Sequence, residues 1–315
     1  MLCFDGGGIR GIITAVWLDA LESRLGRPLH QCVDMLAGTS TGAILACGIG
    51  LGIPARDMVS LYRDRGRAIF PGRAERLWDR AVRTFSQGPS APKYSDAGLE
   101  RELRRVFGDV RFGELKVKPI LVTAYNTLAR SAEVMKNNRP HWAELPAWQV
   151  AKASASAPTY FPATVLPVRG AQVPLIDGGV AANNPTACAM AEAVRLNASE
   201  RTGLGLEHLV VGSFGTGATT RPISAASARE WGALEWAVPI IDVLMDGAAD
   251  VTDYIAEQLL EEDRYFRFQT RLDDAYDDMD NADPPNINAL ISVANEHLST
   301  PACRRAMDAL AALLL

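Results

Sequence analysis

Cysteine and histidine are both scarce in this chain, and each scarcity removes a class of chemistry. The five cysteines, Cys3, Cys32, Cys47, Cys188 and Cys303, form an odd set with no CxxC pair and no metal-ligand spacing. They support neither a disulfide framework nor a zinc site, so no metal or cofactor is expected and a reducing cytoplasm is the expected setting. Positive charge is also short. A net charge of −5 gives no reason to expect a nucleic-acid polymer as a partner. Long apolar runs are missing too. Residues 35–55 carry no charge, yet Gly38, Gly42, Gly48, Gly50, Gly52 and Pro54 interrupt them. That stretch reads as a buried strand, turn and helix rather than a membrane span. Met1 to Phe4 already has the character of a strand, so no secretory leader is expected ahead of it. Internal repeats and low-complexity linkers are absent.

What is present is an ordinary globular composition, 48% hydrophobic and 22% charged, over a length that can bury a sizeable core. Residues 2–4, 33–37, 118–123, 173–176 and 209–214 read as short buried strands. Between them Ile9, Ile13, Val16, Trp17, Ala20 and Leu21 recur at helical spacing, and Gly26 followed by Pro28 ends that helix. Residues 148–156 and 186–196 are helical as well. Strands alternating with helices predict an α/β fold with a mostly parallel central sheet flanked by helices. From about Ser224 the pattern turns helical: Ile287, Leu290, Ile291, Ala294 and Leu298 form one stripe, and Pro301 precedes a last helix. The expectation is one domain over 1–315, with a core at about 1–222 and a helical C-terminal elaboration at about 223–315.

Two motifs carry the chemistry. Gly38-Thr39-Ser40-Thr41-Gly42 has the form of a nucleophile elbow, a serine on a strand-to-helix turn tight enough to need flanking glycines. Asp5-Gly6-Gly7-Gly8-Ile9-Arg10-Gly11 follows a strand and opens a helix, where amides without internal partners can bind a negative oxygen. A G-x-S-x-G pattern alone arises by chance in roughly one chain in ten of this size, so its placement matters more than its presence. The glycine run also satisfies a dinucleotide fingerprint, with Asp34 near the distance of a ribose-binding acid. That acid belongs at the C-terminal end of the second strand, whereas Asp34 stands at the beginning of 33–37. An oxidoreductase therefore remains an alternative with the poorer fit.

A serine hydroxyl needs a base. A His-assisted esterase would place it after the serine, where His208 and His297 stand, but neither occupies a recognisable loop motif. Asp177 closes the apolar run 173–176 and precedes two glycines, at a strand end where open α/β sheets gather functional groups. A carboxylate there, ionised at neutral pH, is able to take the serine proton directly. An Asp-Gly turn without chemistry is the alternative at that point.

Asp5 to Gly11, Gly38 to Gly42, and Asp177-Gly178-Gly179 followed by Asn183-Asn184-Pro185 resemble, in this order, the three signature blocks of the patatin-like phospholipases. The segment Ala155-Ser156-Ala157-Pro158-Thr159-Tyr160-Phe161-Pro162 resembles another that the family carries upstream of its aspartate. The similarity covers about 1–220. It implies a Ser–Asp dyad without histidine, acting on acyl esters of lipids. Ser40 would be the nucleophile and Asp177 the base. The amides of Gly6, Gly7 and Gly8 would form the oxyanion hole, and Arg10 would support that loop. A binding protein that keeps the fold without the activity is a further alternative.

Around these motifs, Arg65, Arg67, Arg73, Arg76, Arg80 and Arg83 face only Glu75 and Asp79, a local charge of +4 interleaved with Ile69, Phe70, Leu77 and Trp78. Such a segment suits peripheral contact with anionic lipid or a lid, and equally a solvated helix. The acidic run at 273–283 lacks an EF-hand glycine and reads as a solvated loop. Some bacterial members of the family are nucleotide-activated, membrane-degrading antiphage effectors, so the resemblance also implies a cyclic nucleotide activator to be tested.

Overall fold

The computed structural model describes residues 1–71, 92–218, 222–236, 239–272, 275 and 278–315. Among them eight strands make one sheet: β1 (Leu2–Phe4), β2 (Leu36–Thr39), β3 (Ile120–Asn126), β4 (Ser131–Lys136), β5 (Thr164–Val168), β6 (Ala171–Asp177), β7 (Val211–Phe214) and β8 (Tyr265–Phe268). Their order is β5-β6-β3-β2-β1-β7-β8, with β4 also paired to β3. The pairs β1–β2, β2–β3, β1–β7 and β7–β8 are parallel, while β3–β4, β3–β6 and β5–β6 are antiparallel. The antiparallel part arises from short connections. β5 turns into β6 through Arg169 and Gly170, both left-handed (φ 52° and 79°), the geometry that a two-residue hairpin demands.

Helices α1 (Gly11–Leu25), α2 (Thr41–Leu51), α3 (Ala55–Ile69), α4 (Ala97–Phe107), α5 (Ala147–Ser154), α6 (Thr186–Glu200), α7 (Pro239–Leu259), α8 (Pro284–Ser299) and α9 (Pro301–Leu314) cover the sheet. The period-two pleat sorts side chains between its faces. Leu2, Phe4, Leu36, Ile120 and Val122 enter the larger core with α1 and α2. Cys3, Ala37 and Leu121 point the other way, into a second core with Ala189, Met190 and Ala193 of α6. This is the three-layer α/β arrangement expected. α1 ends at Gly26, whose left-handed φ of 63° lets its amide reach Glu22 O.

The C-terminal region is mostly helical and packs into the same core. Ile287, Leu290 and Ala294 of α8 and Met307 and Leu310 of α9 belong to the larger core cluster, and Trp17 Nε1 donates to Ala294 O at 3.0 Å. It also supplies β8, a strand that the helical pattern had hidden. Asp280, expected on a solvated loop, is buried: it pairs with Lys93 and accepts the Tyr94 hydroxyl at 2.6 Å. A carboxylate that finds a cation and a phenol has no need of water. Asp274, Asp277 and the arginines at 73, 76, 80 and 83 lie outside the described residues. No helix among the described residues is long and apolar enough to cross a membrane.

One strand does most to position the site. β2 pairs with β3 up to Thr39↔Thr123, and β6 comes from the opposite direction along β3 to end at Asp177↔Ala124. β4 occupies the other edge of β3 from Leu121 to Asn126. β2 and β6 therefore meet end to end on a shared edge, one register step apart. The residue after Thr39 is Ser40, so the register of β3 brings Ser40 to Asp177.

Candidate active site

β2 was expected over 33–37 and instead runs two residues into the serine motif, because Gly38 and Thr39 pair with Val122 and Thr123. The turn is thus concentrated on Ser40, which has φ 55° and ψ −121° and directly precedes α2. A non-glycine residue at such a φ is strained by about 1–3 kcal/mol. Close backbone packing enforces the turn. A Cβ on Gly38 would lie 2.2 Å from Gly42 O, and one on Gly42 would lie 2.1 Å from Phe4 O. The Ser40 amide donates to Ser154 Oγ at 2.8 Å, while Ser40 O accepts the amides of Ala43 and Ile44.

Asp177 is fully buried. Its Oδ1 accepts the Gly179 amide at 2.7 Å, and its Oδ2 has no hydrogen-bond partner among the described residues. Burial pushes the carboxyl from 3.8 up to about 7; the Ser40 hydroxyl and the Gly179 amide pull the other way. The hydroxyl is thus near enough to act on the carboxyl, although the pair does not meet strict hydrogen-bond geometry. The expectation of a side chain ionised at neutral pH needs correction. Burial holds its carboxyl well above the ordinary carboxylate range, and no cation among the described residues offsets that desolvation.

Segment 154–156 braces the two residues. Ser154 O accepts the Gly178 amide at 3.3 Å, and Ser156 O accepts the Asp177 amide at 3.0 Å. Ser154 therefore holds the serine turn by its side chain and the aspartate turn by its backbone. Sequence reasoning marked the neighbouring block but not this role.

The glycine run is fixed from three sides. Asp5 N donates to Phe214 O, and the Thr216 hydroxyl donates to Gly6 O at 2.8 Å. Gly6 N donates to Asn183 O at 3.1 Å. That bond corrects the expectation for Gly6, whose amide is already engaged and has no hydrogen left for a substrate oxygen. Gly7 and Gly8 differ, since the structure gives neither amide a protein acceptor among the described residues. In a trans peptide the N–H points opposite to the C=O. Thr216 on Gly6 O therefore turns the Gly7 N–H away from itself, and the Arg10 amide on Gly7 O does the same for Gly8. Only glycine fits at position 8, where φ is 59° and a Cβ would meet Met279 O at 2.2 Å. Arg10 is buried; burial raises the Asp242 carboxyl and the Tyr160 phenol, and the Arg10 charge opposes both shifts.

Gly8, Ser40 and Asp177 line one pocket, whose walls are mostly apolar, Ile44, Ile69, Phe70, Leu99, Met245 and Met279 among them, beside Thr41, Tyr62 and Tyr160. None of the four histidines lines it. His208 sits on the surface beside Glu207, and His297 packs on Trp17. Asp34 precedes β2, at the end of the sheet away from the glycine run, so no ribose acid stands where a dinucleotide would need one.

A family model for patatin-like phospholipases matches residues 2–190. The chain belongs to the patatin-like phospholipase family. It is 28% identical to patatin-like protein 1 of Arabidopsis thaliana, over 98% of this chain and 83% of that one. It is 30% identical to a cGAMP-activated phospholipase of Pseudomonas aeruginosa, over 82% of this chain and 75% of that one. An intracellular phospholipase A2 of Caenorhabditis elegans is 28% identical over 69% of this chain and 19% of its own length. Thr216, beyond the matched residues, was missed by sequence reading. The signal for Thr216 was a Gly-Thr-Gly turn at a strand end, where the glycine run also lies.

Proposed function

We propose that this patatin-like phospholipase is a lipid acyl hydrolase of the phospholipase A or lysophospholipase type, working through Ser40 and Asp177. The observation that carries the reading is Asp177 Oδ2, a buried acceptor with no partner among the described residues, in the same mostly apolar pocket as a strained serine. As Ser40 Oγ bonds to the ester carbonyl carbon, its proton passes to Asp177. The carbonyl oxygen becomes an oxyanion facing the amides of Gly7 and Gly8, each worth roughly 3–4 kcal/mol by comparison with a single donor in another hydrolase. Collapse breaks the bond to the leaving alcohol, which takes the proton back from Asp177. Water then repeats the cycle on the acyl-enzyme and releases the fatty acid.

A base with a pKa near 7 suits this exchange, because it gains and returns a proton with little bias at neutral pH. The apolar walls suit an acyl chain. Mass spectrometry of products from mixed phospholipids tests the reading. The parent should release free fatty acids and lysolipids, and Ser40→Ala should release neither. Fatty-acid release by Ser40→Ala at the parent's rate would refute it.

Regulation belongs to the same proposal. One relative is named for activation by cGAMP, and a cyclic nucleotide activator here is tested by the same assay with and without cyclic dinucleotides. Peripheral membrane contact and a role in antiphage defence rest on this reading as well.

A further inference from the structure

The glycine run cannot hold its own shape. Gly7 and Gly8 carry no side chains, and Gly8 sits at a φ of 59°, so the direction of their amides depends on what grips the loop from outside. At its base stands Asp5, the first residue past β1 and almost wholly buried. Its Oδ2 receives Arg267 Nη2 at 2.6 Å from β8.

The sheet explains how residues 262 apart in sequence meet. Cys3 of β1 pairs with Ser213 of β7, and Ser213 pairs with Arg267 of β8. These three share one face of the sheet, and Asp5, two residues beyond Cys3, continues along it. Arg267 must cross from β8 past β7 to β1, about 10 Å at the spacing of neighbouring strands. On the way Nη1 donates to Ser213 Oγ at 3.0 Å, and Nε lies 3.6 Å from Asp253 Oδ1 of α7. Burial pushes the Asp5 carboxyl up, and the arginine opposes that shift.

We infer that Arg267 is a positioning residue for the oxyanion donors: through Asp5 it fixes the peptides that carry the Gly7 and Gly8 amides. The inference rests on the hydrolase reading above and assigns part of its machinery to a strand far outside residues 2–190. Its lever is geometric. Arg267 grips the start of the loop while Thr216 and Asn183 O hold Gly6, so the two free amides enter the reaction already aligned.

The test uses the full chain with Arg267→Met and Arg267→Lys, a fluorophosphonate probe and a soluble p-nitrophenyl ester. Endpoint labelling of Ser40 counts folded sites, whereas the labelling rate constant and kcat report the donors. Arg267→Met should label to the parental endpoint, with the rate constant and kcat lowered about 10²-fold and KM within twofold. Arg267→Lys keeps the charge but not the second donor, and should recover about tenfold of that loss. Should the Met variant not fold, the Lys variant carries the test by the same readouts. A folded Arg267→Lys protein with the parental rate constant, beside a parent labelled normally, overturns the inference alone. A parent not labelled at Ser40 overturns the hydrolase reading and this inference with it.

Discussion

Replacing Asp177 by Asn should make the protein more stable while removing its activity, and the gain should depend on pH. The folded carboxyl stands at about 7 against 3.8 for the exposed group. Between those values the folded state binds more protons than the unfolded state, so stability falls as pH rises from about 4 and levels off above about 7. The full shift corresponds to roughly 4 kcal/mol, of which about 3 kcal/mol falls between pH 5 and pH 9. Asn keeps the carbonyl that accepts the Gly179 amide and never ionises. Its advantage over the parent should therefore widen across that range by about 2–3 kcal/mol. In a chain of this length that is roughly 4 °C in Tm. Other carboxyls that desolvation raises, Asp5 and Asp242 among them, are common to both proteins and cancel in the difference. Thermal melts of both proteins at pH 5, 7 and 9 measure it. A Tm difference that stays constant with pH, or an Asn variant less stable throughout, would refute the account of Asp177 as a buried carboxyl without a counter-charge.

The rate should follow the same group. With a soluble ester, kcat/KM should rise with pH through an apparent pKa near 7, because only the ionised Asp177 accepts the serine proton, and His208→Ala should leave that limb where it is. A limb that moves in the histidine variant would point to another base. Ser154→Ala should leave the Ser40 amide without its acceptor, costing about 1–3 kcal/mol of stability. It should also lower kcat about tenfold as the turn relaxes; parental values of both in melts and initial rates would contradict the bracing role.

Much of the site was legible because its parts announce themselves locally. A serine between glycines, a glycine run after a strand, and an aspartate at a strand end each have a backbone reason to look as they do. The strands at 2–4 and 118–123 were legible for a similar reason, being short apolar runs. What stayed hidden depends on distant partners. Nothing near Gly6 reveals that Asn183 O takes its amide, and nothing near Asp177 reveals the depth of its burial or the lack of a cation. The direction of β6 was invisible because pairing sense is set by the hairpin with β5 and by the edge of β3 that it joins. β8 is four residues long within a helical region, and its one charged member, Arg267, gave no hint that it spans two strands.

The packing of α8 and α9 against α1 bears on how the chain comes into being. Trp17 lies in the first helix, and the carbonyl that its indole meets, that of Ala294, is made 277 residues later. β8, which borders β7, also arrives late. A growing polypeptide that already carries every signature block still lacks one side of its interior. The first helix is therefore fully covered only after α8 and α9 dock on it, so the interior closes across the span from Trp17 to Ala294.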